Sequence, residues 1–135
     1  MKKYIGIWLD HARSHIVTVT EKNEELVTIE SQADNERLSE GYQTQSVNSR
    51  DAATEGRHQE KRRQILRRYY QEVIKLVKDA EKIYIFGPGE AKVELEKEIE
   101  KCKDFNPRLM AIETADKISE NQIMAKVKKV FKPYL

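Results

Sequence analysis

The sequence predicts an α/β fold: a single domain whose mixed five-stranded sheet follows the element order βββαβαβα. Three observations predict it. The N-terminal quarter holds three short runs rich in β-branched and aromatic residues, one long helical stripe of apolar residues follows, and two further short apolar runs then alternate with helical patterns. At 135 residues the chain has the commonest size of one domain, and a globule of that size buries enough surface to fold without disulfides or metals.

Tyr4-Ile5-Gly6-Ile7-Trp8-Leu9 is apolar throughout and stops at Asp10, which marks a strand buried on both faces. Ser14 to Thr20 carries Ile16, Val17 and Val19. After the polar Glu21-Lys22-Asn23-Glu24 turn come Leu26, Val27 and Ile29, so two more strands follow the first as a meander. Residues 32–57 contain few apolar positions and are filled with Asn, Ser, Asp, Gln, Thr and Gly, which predicts a long mobile loop.

From His58 to Ala80 the residues Ile65, Leu66, Tyr69, Tyr70, Val73, Ile74, Leu76 and Val77 recur at helical spacing, one amphipathic helix. Lys82 to Phe86 is a fourth strand ending at Gly87-Pro88-Gly89. Glu90 to Cys102 reads as a helix, and Arg108 to Ile112 as a fifth strand. Ser119 opens the last helix with a capping box completed by Gln122, and Ile118 is placed to staple against Ile123 before the helix ends near Phe131. This order of strands and helices is shared by ribonuclease H-like folds and by some ribosomal proteins.

Composition narrows the function. The single cysteine, Cys102, cannot form an internal disulfide, and no Cys/His set is spaced for zinc. With no signal-like N-terminus and no long apolar run, a cytoplasmic protein without a membrane segment, metal or cofactor is expected. A net charge of +2, from 25 Lys and Arg against 23 Asp and Glu, predicts nothing by itself, but its distribution does. Glu21 to Glu40 is acidic, whereas Arg57, Lys61, Arg62, Arg63, Arg67 and Arg68 crowd one stretch that holds only Glu60 in opposition.

Ile83 to Lys92 (IYIFGPGEAK), Glu113 to Val127 (ETADKISENQIMAKV) and the arginine-rich helix before them together resemble the middle domain of the archaeal and eukaryotic class-1 release factor and of Pelota. The opening Gly6 to His11 is similar to the start of stand-alone bacterial relatives of that domain, described as translational machinery components. In release factors the loop between the third strand and the first helix carries a Gly-Gly-Gln tripeptide that helps water cleave peptidyl-tRNA. Here that loop offers Gly41-Tyr42-Gln43, and a tyrosine strongly disfavours the positive φ that the second glycine permits. Pelota also lacks the tripeptide and binds ribosomes, so the resemblance implies ribosome or tRNA binding in translation release or rescue without hydrolysis.

The basic stretch is accordingly the candidate RNA- and phosphate-binding site, with Tyr42 available to stack on a base and loop 32–57 ordering on contact. The bland alternative is a solvated helix face. Gly87-Pro88-Gly89 reads as a structural turn rather than an anion cradle, because Glu90 and Glu94 repel phosphate. Two weaker catalytic candidates stand beside the binding reading. Gln43 would serve a divergent peptidyl-tRNA hydrolase, and Asp10, with Glu60 or Glu72, would open a two-metal nuclease site. His11, His15 and His58 read as surface or turn histidines, and Trp8, Tyr69 and Tyr70 as core. A protein-interaction module that touches no nucleic acid is the third alternative.

Overall fold

The computed structural model describes residues 2–33 and 52–135, the side chains of 52–55 excepted. Its elements are β1 (Tyr4–Leu9), β2 (Arg13–Val19), β3 (Glu24–Glu30), α1 (Ala52–Val77), β4 (Lys82–Gly87), α2 (Ala91–Glu100), β5 (Arg108–Thr114) and α3 (Glu120–Phe131), closed by a 3-10 turn at Lys132–Tyr134. The five strands form one sheet in the order β3-β2-β1-β4-β5. The meander β1-β2-β3 is antiparallel, while β1–β4 and β4–β5 pair in parallel. This is the mixed α/β sheet expected from the sequence.

Strand alternation sorts the core into two layers. Ile5, Ile7 and Leu9 of β1, with Ile16, Ile29, Ile83 and Ile85, face α1 and α2 and meet Leu66, Tyr69, Tyr70, Val73, Val77 and Leu95. Tyr4 and Trp8, with Val17, Val19, Tyr84 and Phe86, face the other way and meet Ile123, Val127 and Phe131 of α3. A strand covered on both faces has no use for polar positions, which is why Tyr4–Leu9 reads as an unbroken apolar run. Gly6 lies under α3: a Cβ there would overlap the side chain of Val127, so the missing side chain is what lets α3 settle on the sheet.

The last helix is capped as the sequence predicts. The Ser119 hydroxyl accepts from the Gln122 backbone N–H at 3.1 Å, and the Gln122 side chain accepts from the Ser119 N–H at 2.9 Å. The first helix is longer than its apolar stripe. It begins at Ala52, so residues 52–57, expected in the loop, are helical. Loop expectation followed low hydrophobicity, yet Ala52, Ala53, Glu55 and Arg57 are residue types that favour the helical backbone. The remainder of the expected loop, 34–51, lies outside the described residues, and Tyr42 and Gln43 with it. Among the described residues, no helix is long and apolar enough to cross a membrane.

Candidate nucleic-acid interface

One helix positions all six cations of the expected site, and its geometry divides them. At 100° per residue, Arg57, Lys61, Arg68 and also Lys75 fall within about 40° of one another, on the pole of α1 opposite Leu66 and Val73. All four are exposed. They rise along one line about 27 Å long, at 1.5 Å per residue. Arg63 and Arg67 lie on the flank facing α2. Arg63 pairs with Glu60 at 3.4 Å, and Arg67 approaches Glu98 at 4.0 Å, a carboxylate that Lys101 also holds at 3.2 Å. Arg62 leans toward the packed side, where its Nε is buried and its charge acts on the Tyr70 phenol.

The six therefore do not form one patch. Arg57, Lys61 and Arg68 remain on the outward pole, and Lys75 extends their line at seven residues from Arg68. Counting charge density along the chain stops at Arg68; helical spacing reaches Lys75. Glu60 flanks the line, while Glu72, about 40° from Arg68 and between it and Lys75 in height, sets one carboxylate beside the upper half of the line.

At its middle α1 is clamped to the ends of the strands. Tyr69 Oη donates to the Asp10 carbonyl at 3.1 Å and shares a 2.5 Å hydrogen bond with Ser14 Oγ, while Tyr70 Oη donates to Glu94 Oε1 at 2.6 Å. The same Glu94 oxygen lies 3.0 Å from His11 Nε2, so the β1–β2 turn, α1 and α2 meet at one carboxylate. Burial first, and then the neighbouring Glu94, hold the Tyr70 phenol far above its ordinary pKa; burial does the same to Tyr69. Both rings stay protonated donors, which suits a clamp. From Tyr69 back to Ala52 the helix rises about 26 Å at 1.5 Å per residue, so its first half runs on beyond the clamp.

The remaining candidates sit apart from this helix face. Asp10 stands at the end of β1 as expected, but its Oδ1 accepts from the Ala12 and Arg13 N–H groups at 2.8 and 2.9 Å and so shapes the β1–β2 turn. Glu60 and Glu72 are exposed on α1. Among the described residues, no three His, Cys, Asp or Glu side chains converge as a metal ion requires. The Gly87-Pro88-Gly89 segment is a turn. Gly87 has φ 149°, a Cβ there would strike the Leu9 carbonyl, and the buried Lys92 folds its ammonium back onto the Gly89 carbonyl at 2.5 Å.

His15 departs from the surface reading. It is buried, tilts against Trp8 with ring centroids 5.7 Å apart, and bonds Thr28 Oγ1 at 2.9 Å. Its place in the middle of β2, opposite Trp8, decides this: residues at that register on the α3 side are covered. Burial lowers its pKa against the opposing pull of Glu120.

No family model matches the chain, and no curated protein matches it either. Among solved structures it is similar to the Thermoplasma acidophilum Pelota protein, at 12% identity and a TM-score of 0.49, over 97% of this chain and 39% of that one. It is also similar to an archaeal translation termination factor, at 11% identity and a TM-score of 0.47, over 98% of this chain and 39% of that one. The chain thus spans about two fifths of the length of each.

Proposed function

We propose that this chain is an RNA-docking module that binds tRNA or ribosomal RNA through the outward pole of α1, without catalysing hydrolysis itself. The observation that carries the reading is the line Arg57–Lys61–Arg68–Lys75. Lone cations on a soluble helix are ordinary, but four in register on the unpacked pole, with no ion partner for Arg57, Arg68 or Lys75 among the described residues, make an electrostatic track for phosphates. Arg63 and Arg67 support this face from its flank, while Arg62 is turned toward the packed side. Translation RNAs are the first partners to try because the Gly87-Pro88-Gly89 and Thr114-Ala115-Asp116 stretches resemble release-factor and Pelota sequence.

The hydrolytic alternatives have less behind them. Gly41-Tyr42-Gln43 lacks the second glycine, and the Asp10 carboxylate is committed to its own turn.

The test is binding to tRNA and to purified ribosomes across a salt series, comparing wild type with Arg57→Glu/Lys61→Glu/Arg68→Glu. The wild type is expected to lose affinity steeply with salt. The triple variant is expected to bind at least about tenfold more weakly, with a salt slope shallower by about one for each phosphate it no longer neutralises. Binding that is equal in both proteins, or absent at low salt, overturns the proposal and leaves a protein partner as the working alternative.

A further inference from the structure

Beside the cationic line, α1 and the C-terminal end of α2 leave an open groove lined by Arg68, Gln71, Glu72, Ile74, Lys75, Lys78 and Cys102. Its composition is layered. Ile74 is buried and Cys102 half-buried, and both belong to the core layer under α1, so the floor is apolar. The rim is charged and polar. Lys78 is held by Asp104 at 2.7 Å, while Arg68 and Lys75 have no ion partner among the described residues. Gln71 and Glu72 bring an amide and a carboxylate to the same rim.

We infer that this groove receives one unpaired nucleotide of a bound RNA, its base on the Ile74–Cys102 floor and its flanking phosphates on Arg68 and Lys75. Charge complementarity selects the occupant: Arg68 and Lys75 stand two turns apart on one helix face, and their long side chains can converge on the more closely spaced phosphates on either side of a splayed nucleotide. The apolar floor suits the face of a base, and Gln71 with Glu72 offers both donor and acceptors to its edge or to the ribose 2′-hydroxyl. A duplex keeps its bases stacked inside and would reach the outward pole of α1 without entering the groove. The inference rests on the RNA-docking reading and deepens it from phosphate tracking to recognition of unpaired RNA.

Cys102 is the single cysteine of the chain and lies in the groove, so it reports occupancy directly. The experiment follows alkylation of the wild-type thiol by iodoacetamide, alone and with saturating oligouridylate or an RNA duplex, with binding of each RNA followed in parallel by fluorescence anisotropy. Oligouridylate is expected to slow alkylation at least tenfold, the duplex to leave the rate within twofold, and Arg68→Glu/Lys75→Glu to lose both binding of the single strand and protection. Oligouridylate that binds without protecting Cys102 overturns the groove and spares the docking reading. Absence of any RNA binding at low salt overturns both.

Discussion

The two halves of α1 are built on different terms. From Leu66 to Val77 the helix buries Leu66, Tyr69, Tyr70, Val73, Ile74 and Val77 and is clamped through two phenols to the start of the β1–β2 turn, to β2 and to α2. From Gly56 to Ile65 no side chain is fully buried, and only Arg62 and Ile65 are even partly covered. Tertiary packing holds the second half, whereas the first half rests on its own backbone hydrogen bonds as a continuation of an anchored helix, which spares it the cost of nucleation. A helix extended in this way presents charge on a firm support, at positions that packing leaves free to vary.

Substitutions along the helix test that contrast. Leu66→Ala removes a buried side chain between the sheet and the clamp and is expected to cost about 2–5 kcal/mol in urea unfolding. Tyr69→Phe keeps the ring but strands the fully buried Ser14 hydroxyl and frees the Asp10 carbonyl, an expected loss of about 1–3 kcal/mol by the same measurement. Gly56→Ala works in the opposite direction. Gly56 is helical with nothing crowding its Cβ position, so the substitution is expected to stabilise by about 0.5–1 kcal/mol and to raise helicity by circular dichroism. Gln59→Ala, exposed in the first half, is expected to stay within about 0.5 kcal/mol of wild type. A cost above about 2 kcal/mol at Gln59 would erase the distinction between the halves.

Acid sharpens the comparison from the other face of the sheet. His15 has its pKa lowered in the fold by burial, so the neutral ring is the one the structure accommodates. Its contribution is complete above the unfolded value of 6.5 and is lost as pH falls below it, because the unfolded chain then takes up the proton more readily. Unfolding midpoints measured at about pH 7.5 and about pH 5.5 are expected to drop on acidification, and His15→Gln is expected to flatten that drop. An unchanged pH dependence in the variant would assign the effect to other groups.

Much of this architecture was legible in the residues. Tyr4–Leu9 announced a doubly covered strand by having no polar position, and Ser119 with Gln122 announced the last helix by its capping chemistry. The first turns of α1 were not legible, because hydrophobic periodicity is the signal for a helix, and residues 52–57 hold too few apolar positions to show a period. His15 was missed for a related reason: its burial comes from α3, which is distant in sequence, and a polar residue inside a strand gives no sign of which face will be covered. The cationic run was visible as composition, but its division among pole, flank and packed side required the phase of the helix, and that phase is fixed by Leu66, Tyr69 and Val73.

The sheet order has a consequence for how the chain reaches its fold. On one edge β1 pairs with its neighbour in sequence, Ile7 opposite Ile16; on the other it pairs with β4, Ile5 opposite Ile83. The N-terminal meander closes by short loops and can form early, but its most apolar strand then waits with one edge bare until the whole of α1 has been laid down and β4 arrives. During that interval Tyr4–Leu9 is the segment most able to pair with another chain, so refolding yield is expected to fall as protein concentration rises.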